Sequence, residues 1–258
     1  MRHPRSFLIS GPPERLKALR VATDARVALG RAGAGLPTGA VQRFLLDHAQ
    51  ARQAVWRPLD VDRVECELRE AGADIVHVAS RAPGRADYLR RPDLGRALSA
   101  EGRAALEGHG KGADVALVIA DGLSATAVEM NAVPVATVLL EALAGEGLTV
   151  APVTLATQAR VALADDVGAA LGAKVSVILI GERPGLSAAD SLGAYVTFGP
   201  ETGLPDSRRN CISNIRDGGV SPAEAAGRIM ALISAMCQQQ TSGVTLIESE
   251  RPVTALSD

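Results

Sequence analysis

From residue 73 onward, strand-length runs of aliphatic residues alternate with alanine-rich stretches of helical spacing. This texture is the signature of βαβ units, in which parallel strands are joined by helices that cover the sheet. It predicts strands at 74–79, 114–120, 148–155, 174–180 and 194–198. Helices are predicted at about 96–107, 124–144 and 160–171, with a last one at about 221–240 that Ser221-Pro222 starts and Ser242-Gly243 ends. The fold class is therefore α/β: a doubly wound, mostly parallel, Rossmann-like sheet. No period recurs along the chain, which argues against a solenoid.

Residues 1–72 are patterned differently. Val41, Phe44, Leu45 and His48 recur at helical spacing. Thr23 or Asp24 is placed to cap one short helix, Pro37-Thr38 opens a second, and Asp60 caps a third that carries Val61, Val64, Cys66 and Leu68 to a stop at Gly72. The expected organisation is a small N-terminal helical region over 1–72 and an α/β domain over 73–258. Gly30-Arg31-Ala32-Gly33-Ala34-Gly35 looks like a phosphate-binding loop. It follows a helix instead of a strand, however, and lacks both the dinucleotide and the P-loop spacing, so it reads as a structural turn.

Composition narrows the partners. Twenty-seven basic residues face 29 acidic ones, a net charge of −2, so no cationic field is available for a phosphate backbone and nucleic acid is not expected. Aromatic residues make up only 2%, too few for a stacking platform. Apolar runs such as Val115 to Ala120 and Val175 to Ile180 are strand-length, far short of the roughly 20 residues that span a bilayer, so no membrane association is expected. The apolar run Phe7-Leu8-Ile9 is too short for a signal-peptide core and is broken by Gly11-Pro12-Pro13. Cys66, Cys211 and Cys237 are odd in number and widely spaced. They fit neither a disulfide framework nor a metal site, and a reducing cytoplasm suits them.

In an open parallel sheet, ligands bind beyond the carboxyl ends of the strands. Three polar loops are expected there: Asp121-Gly122-Leu123-Ser124-Ala125-Thr126, Thr157-Gln158-Ala159-Arg160-Val161, and Gly181-Glu182-Arg183-Pro184-Gly185-Leu186-Ser187. Ser124 can cap the following helix. Glu182 and Arg183, taken alone, fit a solvated charge pair. Their position after an aliphatic strand, between two glycines and a proline, instead places the carboxylate at a half-buried rim that a large ligand could press against. A fourth region, Arg208 to Arg216, contains Cys211, which reads as a small apolar residue. A nucleophilic role would want a nearby histidine, and His3, His48, His77 and His109 lie far off in sequence. Glu107-Gly108-His109-Gly110-Lys111-Gly112 is one substitution from a cobalt-ligating histidine signature, but it reads equally as a loop tip and no metal is assigned to it.

Five segments in register carry a resemblance: Gly30 to Thr38, Tyr88 to Arg96, Asp121 to Ala125, Gly181 to Gly185 and Asn210 to Ile215. Together, over about residues 22–244, the chain resembles the small (light) subunit of ethanolamine ammonia-lyase. The resemblance implies a carbon–nitrogen lyase of two subunits that converts ethanolamine to acetaldehyde and ammonia. A large catalytic subunit would be the partner in a hetero-oligomer, with adenosylcobalamin held at the interface. It implies that the positions matching Val161, Glu182 and Cys211 contact the cobalamin and that catalytic residues lie in the other chain. It also implies that cobalt keeps its own dimethylbenzimidazole ligand, so His109 is no metal ligand. The enzyme would work in the cytoplasm, either free or inside a bacterial microcompartment. Ala164 departs from the glycine expected before Asp165-Asp166, which affects only the local helix. Competing readings are a nucleotide-binding oxidoreductase, which would want a Gly-x-Gly-x-x-Gly directly after a strand, and a non-enzymatic assembly module.

Overall fold

A computed structural model describes residues 9–10, 16, 18–23 and 25–246. Helices α1 (Thr38–Trp56) and α2 (Val61–Glu70) lead into β1 (Ile75–Ala79), α3 (Arg85–Arg90) and α4 (Ala100–Glu107). Then follow β2 (Val115–Ala120), α5 (Ala125–Gly145), β3 (Val153–Thr157), α6 (Leu163–Leu171), β4 (Val175–Gly181), β5 (Leu192–Phe198), β6 (Asn210–Ile215) and α7 (Pro222–Gln239). The strands form a six-stranded sheet in the order β1-β3-β2-β4-β5-β6.

β1, β3, β2 and β4 run parallel. The sheet is nonetheless mixed, because β5 and β6 turn back antiparallel. The reason lies in the chain length: residues 182–191 are all that join β4 to β5, fewer than the dozen or more a parallel crossover needs. Central strands β2 and β4 are buried at every position, as strands covered on both faces must be.

Two apolar layers lie on the two faces of the sheet. One gathers Val64 and Leu68 of α2, the inward side of α5 and Ile229, Ile233 and Met236 of α7 against Leu117, Leu155, Leu179 and Val196. The other packs Leu106 of α4 and Leu163, Val167 and Leu171 of α6 against Val76, Val118 and Ile178. By length and apolarity α5 is, among the described helices, the one able to cross a bilayer. It spends that apolarity on the core, burying Leu139 and Leu143 completely.

Most predicted elements are present with shifted ends. The strand expected at 148–155 forms at 153–157, because Pro152 has no N–H for the ladder and only Val150 bridges Val115 before it. β6 falls in a region not predicted as a strand. Its inward residues are Ile212 and Ile215, three apart, because a bulge puts an extra residue opposite the Leu192–Ala194 step of β5, with Asn214 at φ 61°. Asp60 caps α2 through Arg63 N–H as expected. Thr23, expected to start a helix, instead follows the four-residue helix Leu19–Ala22, and Asp24 lies outside the described residues. Gly30 and Gly33 adopt left-handed φ values in a turn beside Arg31–Ala32, which pairs with Ile9–Ser10.

Candidate functional site

The loops expected to converge beyond the strand ends do so, and backbone contact locks them. Leu123 N–H donates to Gly181 O at 2.9 Å. A Cβ on Gly122 would overlap the Gly181 carbonyl oxygen, and one on Gly181 would overlap that of Ser124, so only glycine fits either position. Asp121, 3% exposed, ties in the second loop: its carboxylate accepts from Gln158 N–H and Ala159 N–H, both at 3.0 Å, and from Arg85 Nη1 at 3.1 Å. Those bonds hold Gln158 in the left-handed region at φ 55°, a conformation that non-glycine residues adopt chiefly under such constraint. Ser124 caps α5 through Ala127 N–H, and its hydroxyl donates to Ala189 O.

Tyr88 is the buried pillar of this corner. Its hydroxyl donates to Ala159 O at 2.9 Å, and its ring meets two guanidiniums, Arg85 at 4.8 Å and Arg160 at 4.2 Å from the centroid. Burial pushes its phenol pKa well above the usual range. Arg160 N–H donates to Gly95 O at 2.7 Å, and a Cβ on Gly95 would meet both Arg160 and Tyr88 at about 3 Å. The Tyr88-to-Arg96 segment thus supports the loop that carries Val161.

The third loop does not lead to a helix; it is the turn of the β4–β5 hairpin. Glu182 N–H donates to Ser191 O at 3.0 Å, continuing the ladder, and Gly185 N–H donates to Ala188 O at 2.9 Å. The Glu182 carboxylate accepts from the hydroxyls of Ser191 and Ser213 and from Asn214 N–H. Gly193 makes room for it: a Cβ there would stand 3.0 Å from Glu182 Oε1. Arg183, expected beside Glu182, is exposed and does not pair with it among the described residues.

β5 and β6 send Leu192, Ala194, Val196, Ile212 and Ile215 into the core. By strand alternation Gly193, Tyr195, Cys211 and Ser213 lie on the opposite face, where Cys211 and Ser213 are exposed. Tyr195 is the register partner of Cys211. Partial burial pushes the Cys211 thiol up, and the Glu182 charge adds to this against a hydrogen bond with Tyr195. Burial and Cys211 likewise raise the Tyr195 phenol. Neither group is set up as a nucleophile or base near neutral pH.

The three predicted contact residues come together on this rim. Val161 and Glu182 line one cavity of about 200 Å³ with Tyr88, Gly181 and Tyr195. Val161 and Tyr195 also line a neighbouring cavity of about 380 Å³ with Pro92, Arg96, Asp206 and Arg209, and Cys211 joins through Tyr195. Reading the sequence alone missed Tyr195, Ser191, Ser213 and Gly193. The signal for Ser213 was present, two residues from Cys211 in a strand of period two. His109 lies on the turn before β2, at the opposite ends of the strands. Among the described residues no group of three or more His, Cys, Asp or Glu side chains is arranged to hold a metal ion.

Residues 13–247 match the family model described as "Ethanolamine ammonia-lyase light chain", beyond both ends of the resemblance seen at 22–244. Curated proteins named ethanolamine ammonia-lyase small subunit are close relatives. The Azotobacter vinelandii protein is 51% identical over 246 residues, covering 94% of this chain and 90% of that one. Those of Pseudomonas fluorescens and Pseudomonas syringae are 48% and 49% identical, each over 244 residues and 93% of this chain, covering 88% and 85% of their own lengths. Identity of that extent, together with the family match across nearly every described element, places this chain in the ethanolamine ammonia-lyase light-chain family, the small subunits of a carbon–nitrogen lyase.

Proposed function

We propose that this chain is the small subunit of an adenosylcobalamin-dependent ethanolamine ammonia-lyase and holds the corrinoid at the interface with a large catalytic subunit. The observation that carries this reading is the outward face of β5 and β6, where Tyr195 shares a cavity with Val161 and Glu182, Cys211 pairs with Tyr195 across the ladder and Ser213 bonds Glu182. Gly193 lets the Glu182 side chain lie close over β5 at one end of that face. The neighbouring cavities, of about 200 and 380 Å³, are too small to enclose a ligand larger than an ordinary drug. A large planar group would therefore lie against this surface and be covered from the other side, as a second subunit would do.

The residues present suit such a group. Glu182 has about four lone-pair sites and spends three on Ser191, Ser213 and Asn214, which leaves one on Oε1 for an amide N–H at the corrin edge. Val161 offers apolar contact, and Cys211 presents a neutral thiol that packs or donates weakly. Adenosylcobalamin supplies the radical chemistry when bound. This chain's side chains orient the cofactor and exclude water from one side; none acts as the acid or base that converts ethanolamine to acetaldehyde and ammonia. The parallel half of the sheet is the Rossmann-like part of the cofactor-contacting domain, 73–258, and residues 1–72 form the helical region that precedes it. The free thiols of Cys66, Cys211 and Cys237 suit the cytoplasm, with the enzyme either free or inside a bacterial microcompartment.

Co-expression with a large subunit, followed by an absorbance spectrum of the purified complex mixed with cobalamin, tests this. A stable complex with a bound-corrinoid spectrum is expected. A chain that purifies alone and binds NAD would overturn the proposal.

A further inference from the structure

Beside the face just described, a half-buried cation, Arg160, is short of acceptors. Arg160 follows the strained Gln158-Ala159 turn and lines both cavities that share Val161 and Tyr195. The other arginines of the 380 Å³ cavity are neutralised: Arg96 pairs with Asp206 at 2.8 Å, and Arg209 pairs with Asp165 and Asp206. Arg85, also over the Tyr88 ring, differs in having a carboxylate partner, Asp121 at 3.1 Å, although its Nη2 is likewise buried without a partner. Arg160 ion-pairs with no carboxylate among the described residues. Of its five N–H donors, Nη2 reaches only the Tyr88 carbonyl at a long 3.3 Å, and Nε is buried without a partner. A buried donor left unpaired is costly, and more so on a charged group, so a guanidinium held in this way gains from an incoming oxygen.

The side chain is also fixed in place. Its stem packs against Gly95, its guanidinium carbon lies 4.2 Å from the Tyr88 ring centroid, and its own N–H is held by Gly95 O at 2.7 Å. A preorganised fork with unused donors at the edge of a ligand face acts as an anchor for an acceptor.

We infer that Arg160 is a further ligand-holding residue of this face, donating from its guanidinium to an acceptor oxygen of the corrinoid, at a side-chain amide carbonyl or at the phosphodiester of the nucleotide loop. This rests on the proposed function, and it complements Glu182: one residue accepts from the ligand edge and the other donates to it.

The test uses the assembled two-subunit complex carrying Arg160→Met, which keeps the stem over Tyr88 but removes every donor, and Arg160→Lys, which keeps the charge but not the fork. Dissociation constants are measured by absorbance titration with hydroxocobalamin and with cobinamide, which lacks the nucleotide loop and its phosphate. Arg160→Met raises the hydroxocobalamin Kd roughly tenfold or more while the subunits still co-elute; Arg160→Lys raises it severalfold. If cobinamide binding weakens as well, the acceptor is a corrin amide. If it does not, the acceptor is the phosphodiester. Should the methionine variant fail to assemble, the lysine variant decides, and an unchanged Kd there overturns the inference. Unchanged Kd values in both variants, in a complex whose wild type binds hydroxocobalamin, overturn the role of Arg160 and leave the proposed function standing. A wild-type complex that binds neither corrinoid overturns both.

Discussion

Tyr195 on β5 and Cys211 on β6 face each other directly across an antiparallel ladder, which joins the Val161–Glu182 rim to the exposed edge of the sheet. The pair is possible only because the chain turns back after β4 and lays two antiparallel strands beside the parallel ones. On their outward side these strands carry Gly193, Tyr195, Cys211 and Ser213.

The Cys211 thiol, pushed up by partial burial and by the Glu182 charge, stays protonated through neutral pH. Its alkylation by iodoacetamide is therefore slow at pH 7 and accelerates only above the usual thiol range of about 8.5. In the assembled complex, cobalamin slows it further. Mass-spectrometric labelling of Cys211 against pH checks both points; fast labelling at pH 7 that cobalamin does not affect would contradict them.

Glu182→Ala removes the acceptor shared by Ser191, Ser213 and Asn214. With hydrogen bonds to charged groups worth about 1.5–3 kcal/mol, cobalamin affinity should fall about 10- to 100-fold. Subunit assembly, followed by size-exclusion chromatography, should change much less. Equal loss of both would make the hairpin purely structural.

The two glycines at the ends of the Gly181–Gly185 segment should respond very differently. Gly181→Ala drives a Cβ into the Ser124 carbonyl and costs about 3 kcal/mol or more, seen as a large drop in thermal midpoint or as insolubility. Gly185→Ala, whose Cβ would meet nothing closer than Ala188 at 3.8 Å, should shift the midpoint little.

The Asp165–Arg209 pair gives a pH signature. Both side chains are almost fully buried, 1% and 3% exposed. Burial raises the Asp165 pKa despite Arg209. Arg209→Met leaves the carboxylate uncompensated and costs about 3–5 kcal/mol at pH 7, a fall in thermal midpoint on the order of 10 °C. A carboxyl with a raised folded-state pKa binds more protons in the native state than in the unfolded chain. Stability therefore falls as pH rises between the two pKa values. The variant should regain midpoint relative to wild type as pH drops from 7 towards 5; a gap that widens on acidification would contradict this.

The parallel half of the fold was legible because burial on both faces writes itself as unbroken aliphatic runs, as in Val115–Ala120 and Val175–Gly181. β6 was not, because Asn210-Cys211-Ile212-Ser213-Asn214-Ile215 is half exposed and its bulge breaks the two-residue alternation. The site was partly legible. The order of polar loops after strands placed the Gly122 and Gly181 loops at one edge, but the backbone contact between them and the positions of Tyr88 and Tyr195 come from long-range packing that local pattern does not encode. Arg160 stands in the polar loop Thr157 to Val161 that follows β3. Its unsatisfied Nε is visible only once Tyr88 and Gly95 are placed around it.

Whether the outward face of β5 and β6 holds the corrinoid can be seen directly. The most direct measurement is the structure of the co-purified two-subunit complex with cobalamin bound, by crystallography or electron microscopy. A corrin edge is expected over β5 and β6, in van der Waals contact with Val161 and Cys211 and within hydrogen-bond reach of Glu182. A corrin bound entirely within the large subunit, with Glu182 and Cys211 facing solvent, would contradict it.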